Sequence, residues 1–97
     1  MDELFEAILA LRDREDCYRF FEDLCTVSEL KSMAQRLVVA RMLLESATYL
    51  EVEEETGASS ATISRVNKSL HYGADGYLQV LERMGHIAGE KKRERKR

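Results

Sequence analysis

The feature that most constrains this chain is Gly57, which separates two short segments of helical periodicity. Thr48 and Glu51 have the spacing of a capping box, so a helix is predicted to begin there. Gly57 is predicted to end that helix, because glycine adopts the left-handed conformation without strain. A second helix follows at once. The sequence therefore predicts a helix-turn-helix over about residues 48–71.

The second of these helices has an apolar side and a side of small or basic residues. Ser59 or Ser60 can cap it, and Ile63, Val66 and Leu70 recur at helical spacing and are predicted to face inward. The outer side carries no acid, as expected of a helix that enters the major groove of DNA. An ordinary helical hairpin with a solvated outer side is the alternative. The residues predicted to contact DNA are Ser59, Ser60, Ala61, Thr62, Ser64, Arg65 and Lys68.

The rest of the chain is also predicted to be helical, since it contains no proline and only 5 glycines in 97 residues. Thr26 and Glu29 form a second capping-box pattern, which opens a long helix predicted to end near Glu45. Amphipathic helices are predicted over residues 2–12 and around residues 18–25, and a last one over residues 77–84. The apolar residues predicted to make the long helix the spine of the core are Met33, Ala34, Leu37, Val38 and Leu44.

Charge is segregated along the sequence, although the net charge is only −3. Residues 1–57 carry 14 acids and 6 bases, a net charge of −8, and residues 58–97 carry 4 acids and 9 bases, a net charge of +5. The positive half begins at the predicted turn, which favours a polyanionic partner for that half. The basic tail, residues 90–97, is predicted either to reach DNA phosphates or to be a solvated chain end.

Length and residue types exclude several classes of protein. We expect one domain over residues 1–97, with a core small enough to benefit from oligomerisation. No apolar run is long enough to span a bilayer and the start is acidic, so we expect a cytoplasmic protein. We expect neither catalysis nor a metal site, because no nucleophile is paired with a base and the spacings of the Cys and His residues fit no ligand pattern.

The predicted turn and second helix resemble those of the Trp repressor superfamily, and within it the YerC/YecD branch. The resemblance covers about residues 20–84 and is strongest in Glu55-Thr56-Gly57-Ala58, Ala61-Thr62-Ile63-Ser64-Arg65 and Asn67-Lys68-Ser69-Leu70. It implies an all-α, Trp repressor-like intertwined helical homodimer. It also implies a sequence-specific repressor of transcription that reads double-stranded DNA at a pseudo-palindromic operator.

The resemblance also implies a site for a small effector. The family holds L-tryptophan between two arginines, which correspond here to Arg36 and Arg65, with Thr26 and Ser69 lining the site. Arginine suits this role because its planar guanidinium stacks on rings and binds carboxylates. Val66 stands where the tryptophan-responsive proteins have glycine. We therefore expect no tryptophan binding and no cofactor, and leave open a different small-molecule effector.

The first helix of the pair departs from the family pattern. A basic residue that contacts phosphate in the family corresponds here to Glu53, which lies in an acidic run from Glu51 to Glu55. Carboxylates that face DNA weaken its binding. The alternative function is therefore a helical dimeric module that binds proteins and not DNA.

Overall fold

The computed structural model of the chain describes residues 1–86, which form six α-helices and no strand. This confirms the predicted all-α class. None of the described helices is long and apolar enough to cross a membrane. The chain divides into two compact units, one of residues 1–32 and one that begins at Met33. The helices are α1 (Asp2–Leu9), α2 (Arg14–Leu24), α3 (Val27–Leu44), α4 (Tyr49–Thr56), α5 (Ser60–Tyr72) and α6 (Gly76–Arg83).

The first unit contains α1, α2 and the first turns of α3. The prediction of a helix over residues 2–12 was wrong at its end, because α1 stops at Leu9. The reason is the cap of α2: Asp13 takes an extended conformation, and its carboxylate accepts a hydrogen bond from the Asp16 N–H at 2.8 Å. Although α1 and α2 are amphipathic, as predicted, neither contains a buried residue.

Helix α3 begins as its capping box predicts. The Glu29 N–H donates to the Thr26 hydroxyl at 3.1 Å, and the Thr26 N–H donates to the Glu29 carboxylate at 2.8 Å. The predicted apolar stripe was wrong in its first half, because Met33 and Ala34 are exposed. α3 is apolar on most of its circumference, so the neighbouring helices decide which side is buried. The buried residues of α3 are Val39, Ala40, Leu43 and Leu44.

All buried side chains of the described residues belong to the second unit. α4 and α5 pack against each other there, and α3 and α6 complete the core. The inward positions predicted for the helix-turn-helix are confirmed, since Ile63 is fully buried and Val66 is 1% exposed. The core comprises Val39, Ala40, Leu43, Leu44, Val52, Ala58, Ile63, Val66, Leu70, Leu78 and Leu81.

The end of α5 is defined by Gly73. A Cβ atom at this position would lie 2.5 Å from the carbonyl oxygen of Ser69, which is closer than a real Cβ contact. The Gly73 N–H donates to that same oxygen at 2.9 Å. Only glycine permits this close approach, so the chain leaves the helix directly after Tyr72.

Candidate nucleic-acid interface

The first helix of the pair, α4, begins and ends as the sequence predicts. The Glu51 N–H donates to the Thr48 hydroxyl at 3.1 Å, and the Thr48 N–H donates to the Glu51 carboxylate at 2.7 Å. These hydrogen bonds lower the pKa of Glu51, that from the Thr48 backbone more than that involving its side chain. At the other end, Gly57 has φ +71° and terminates the helix. Local residues therefore define both ends of α4.

The turn between α4 and α5 is held by Thr56, a residue of the family-like segment to which the sequence pattern assigned no role of its own. Its hydroxyl donates to the Val52 carbonyl at 2.7 Å and accepts from the Ala58 N–H at 3.1 Å. The Gln35 side-chain amide of α3 donates to the Thr56 carbonyl at 3.1 Å. These bonds fix the turn to α3 and so set the direction in which α5 leaves it. The hydrogen-bonding capacity of Thr56 was visible in the sequence, but its partner Gln35 was not.

Two of the residues predicted to contact DNA, Ser59 and Thr62, hydrogen-bond each other in the first turn of α5. The Ser59 hydroxyl accepts from the Thr62 N–H at 3.1 Å and donates to the Thr62 hydroxyl at 3.1 Å. Ser59 is thus the N-cap, one of the two candidates that the sequence offered. These bonds position the start of α5. Contact of either residue with DNA stays a prediction.

The outer side of α5 is exposed and lies opposite its buried residues. Helical spacing places Ile63, Val66 and Leu70 on one side. The remaining predicted DNA contacts lie on the exposed surface of the helix: Ser60, Ala61, Ser64, Arg65 and Lys68. Tyr72, in the last turn, is also exposed, and the sequence pattern did not indicate it because the predicted helix ended at about residue 71. Its position four residues after Lys68 was the available signal.

Charge on the described part of the second half is smaller than the whole sequence suggests. Residues 58–86 carry three bases and two acids, and α5 itself carries Arg65 and Lys68 with no acid. Most of the positive charge belongs to residues 90–97, which lie outside the described residues. The local electrostatic signal for a polyanion is therefore the acid-free surface of α5.

The acidic residues of α4 do not all lie together. Glu51, Glu54 and Glu55 line a groove with Met42 and Ala47 at the end of α3. All four glutamates are exposed, but Glu53 does not line that groove. Helical spacing places Glu53 about 160° from Glu51 around α4. The sequence pattern showed the four carboxylates only as one acidic run. In the fold, three of them line a groove at the end of α3.

The effector clamp of Arg36 and Arg65, with Thr26 and Ser69 lining it, stays a prediction. Thr26 caps α3 in the first unit. Ser69 lines an apolar cavity of about 470 Å³ in the second unit, but Arg36 and Arg65 are not among its lining residues. Val66 is packed in the core, so its effect on an indole stays a prediction. The cavity is lined by Leu37, Ser69, residues 73–76, Tyr77 and Val80.

Within residues 1–86, no group of three or more His, Cys, Asp or Glu residues is arranged to hold a metal ion. Cys17 is exposed and Cys25 is half-buried, and both are free thiols. The described part of the chain therefore offers a surface suited to a polyanion and an apolar cavity as its main candidate sites.

Comparison with known proteins gives consistent results. The sequence profile of the family described as "Trp repressor protein" matches residues 1–85. The uncharacterized protein YerC of Bacillus subtilis (strain 168) is 60% identical over 84 residues, which cover 87% of this chain and 81% of that protein.

Two solved structures are similar over most of their length. One is a crystal structure from Staphylococcus aureus, described as a "putative Trp repressor", with TM-score 0.87 and 55% identity over 91% of this chain and 88% of that one. The other is a "TrpR like protein" from Eubacterium eligens ATCC 27750, with TM-score 0.86 and 56% identity over 90% of each chain.

Proposed function

The chain belongs to the Trp repressor family, a family of DNA-binding regulators, and from this premise we propose that it is a sequence-specific repressor of transcription. It reads a pseudo-palindromic operator in the bacterial cytoplasm as a homodimer, with one α5 helix of each subunit in a major groove. The observation that carries the proposal is the exposed, acid-free side of α5. It presents small residues near its start and two basic residues, Arg65 and Lys68, further along.

The packing of α5 supports this function because it separates a structural side from a free side. Ile63, Val66 and Leu70 hold the helix on the core, and the bonds of Thr56 fix the turn before it. A reading helix must be held rigidly if its side chains are to find the base edges. The small residues Ser60 and Ala61 near its start permit a close approach of the backbone to the groove.

A homodimer is supported by the apolar side chains that one chain leaves exposed. Phe5 and Leu9 of α1, Leu24 of α2 and Val27 of α3 are each at least half exposed. Exposed apolar side chains at this density are typical of surfaces that a partner covers. A twofold dimer places its two reading helices about 34 Å apart, one turn of DNA, so the operator has two half-sites at that spacing.

The experiment is selection of binding sites from a random duplex pool with the purified protein, together with sedimentation to measure its oligomeric state. We expect enrichment of a palindromic motif with half-site centres about 10 base pairs apart. Failure to enrich any motif at low salt would contradict the proposal. That result would favour the alternative, a helical dimeric protein-interaction module, which the exposed Glu53 and its acidic neighbours on α4 support.

We further propose that L-tryptophan is not the effector, on the basis of Val66. A ligand that binds only the folded protein raises its unfolding temperature. We expect no increase with tryptophan in a thermal-shift assay, whereas a concentration-dependent increase would contradict the role assigned to Val66. The same assay with other amino acids and nucleobases searches for a different effector, for which Ser69 and the cavity beside it are a candidate site.

A further inference from the structure

Tyr72 is a large aromatic side chain that the described chain leaves almost wholly in solvent. It is 84% exposed, although it belongs to a helix whose inner side is fully packed. Its ring lies beside that of His71, with centroids 6.2 Å apart. Tyrosine combines an apolar ring with a hydroxyl that can hydrogen-bond a partner, a combination that is enriched at interfaces.

The position of Tyr72 on α5 relates it to the proposed reading residues. Ala61, Arg65, Lys68 and Tyr72 are spaced by four, three and four residues, so they form one line along the exposed side of the helix. Tyr72 lies about 16 Å along the axis from Ala61, given a rise of 1.5 Å per residue. The major groove is about 12 Å wide and 8.5 Å deep. When Ala61 meets base edges, Tyr72 is therefore beyond them, at the level of the phosphates.

The direction of helical side chains brings Tyr72 and Lys68 together. Side chains on an α-helix lean toward its N-terminus, so a residue covers the turn that precedes its own Cα. Tyr72 therefore covers the turn that contains Lys68. A phenol O–H and an ammonium group at adjacent positions can both donate to one phosphate group.

The end of α5 keeps this position accessible. The Gly73 backbone turns away directly after Tyr72, in a conformation that any side chain at position 73 would prevent. No acid is present on α5 to repel a phosphate from the phenol. Tyr72 thus lies in the last turn of α5, adjacent to the basic residue Lys68, and its side chain is exposed to solvent.

We propose that Tyr72 donates a hydrogen bond through its hydroxyl to the DNA backbone and, with Lys68, forms a phosphate-binding pair at the end of the reading helix. This inference rests on the proposed DNA-binding function and adds to it a residue that positions the helix without reading sequence. The distinguishing property of the phenol is that it carries no charge. Its removal therefore leaves the number of counterions released on DNA binding unchanged, whereas removal of the Lys68 ammonium group decreases that number.

The test uses the full chain and compares Tyr72→Phe, Lys68→Ala and, as a matched control, Tyr18→Phe, which removes a hydroxyl from an exposed tyrosine of α2. Affinity is measured by fluorescence anisotropy on the selected duplex and on a scrambled duplex over a range of salt. We expect Tyr72→Phe to weaken both complexes by about tenfold, as expected for a hydrogen bond to a charged group. We expect it to leave the salt slope unchanged, and Tyr18→Phe to bind like the unaltered protein.

Three results would overturn the inference while the unaltered protein still binds its operator. If Tyr72→Phe and the unaltered protein bind with equal affinity, the Tyr72 hydroxyl does not make the proposed hydrogen bond. A weakening confined to the selected duplex would make Tyr72 a base contact. A shift of Tyr72→Phe toward monomer in sedimentation would make it a subunit contact. If the unaltered protein binds neither duplex, the proposed function itself fails and the inference fails with it.

Discussion

The two helices of the helix-turn-helix, α4 and α5, are built alike on their inner sides and differently on their outer sides. Each begins at a hydroxyl cap and contributes branched aliphatic side chains to the same core, Val52 from α4 and Ile63, Val66 and Leu70 from α5. Outside, α4 carries four glutamates in five positions, whereas α5 carries small residues, Arg65 and Lys68. Packing imposes the similarity. Because the fold does not require the difference in charge, that difference is the part of the sequence most directly related to function.

The largest expected effect tests the shared core. Replacement of fully buried Ile63 by alanine removes packed methyl groups and leaves a cavity, so we expect a decrease of about 2–5 kcal/mol in the free energy of unfolding. Val52→Ala in α4 is expected to decrease it by about 2 kcal/mol for the same reason. Urea denaturation measures both values, with Ser64→Ala as the exposed control, expected within about 0.5 kcal/mol of the unaltered protein. A neutral Ile63→Ala would show that α5 does not share the core of α4.

The next effect concerns the residue that separates the two helices. Gly57→Ala places a side chain at φ +71°, so we expect a destabilisation of about 1–2 kcal/mol, because L-residues are strained in the left-handed region. Gly76→Ala is the matched control: a Cβ there has nothing within 4 Å, and Gly76 is the first residue of α6. We expect that control to be neutral or stabilising by up to about 1 kcal/mol. Thermal denaturation of the two variants side by side decides whether the cost arises from the backbone conformation.

A smaller effect tests the difference in charge. We expect Lys68→Ala to weaken binding to every duplex and to reduce the salt slope by about one for each phosphate that the variant no longer neutralises. We expect Glu53→Gln to increase affinity by a few-fold at low salt, since it removes a negative charge that lies outside the groove lined by the other glutamates of α4. Glu54→Gln, which alters a carboxylate of the groove beside Met42, is the matched control and is expected to change less. If Glu54→Gln bound DNA more tightly than Glu53→Gln, Glu54 and not Glu53 would be the glutamate of α4 that lies nearer the DNA.

The smallest effect distinguishes the two caps. The Glu51 pKa lies below its ordinary value of 4.5 because of its bonds with Thr48, so its stabilisation is present above that value and disappears as pH falls through the lowered pKa. We therefore expect the unaltered protein to unfold at a higher temperature than Glu51→Gln at neutral pH, and the two proteins to unfold at the same temperature in strong acid. The cap of α5 has Thr62 where α4 has Glu51, so Ser59→Ala is expected to cost about 1 kcal/mol without this titration. Equal pH dependence of the two destabilisations would contradict the distinction.

Most of the helix-turn-helix could be predicted from the sequence, because its signals act over four residues or fewer. The caps at Thr26 and Thr48, the end of α4 at Gly57 and the inward position of Ile63 all follow from such local rules. The end of α1 could not be predicted in this way. Leu11 continues the apolar pattern, but the cap of the following helix takes precedence over it.

The candidate site was less predictable because it depends on distant residues. The family resemblance places Arg36, Arg65 and Ser69 in one effector site, which stays a prediction, whereas the apolar cavity beside Ser69 was not visible in the sequence. It also offered the hydroxyls of Ser59 and Thr62 to DNA, and both are already bonded to each other. A side chain's partners are set by which helices meet, and that information is spread over the whole chain.

The amino-acid sequence by itself determined where α4 begins and ends, where α3 and α5 begin, and which side of α5 is apolar. Capping, glycine conformation and helical spacing are local properties, so they are present before any tertiary contact forms. Only the tertiary structure decided which side of α3 is buried, which carboxylates of α4 share a groove with it, and that Tyr72 is exposed at the end of α5. Residues 37–44 of α3 are all apolar except Arg41, so the helices that pack on this part select its buried side.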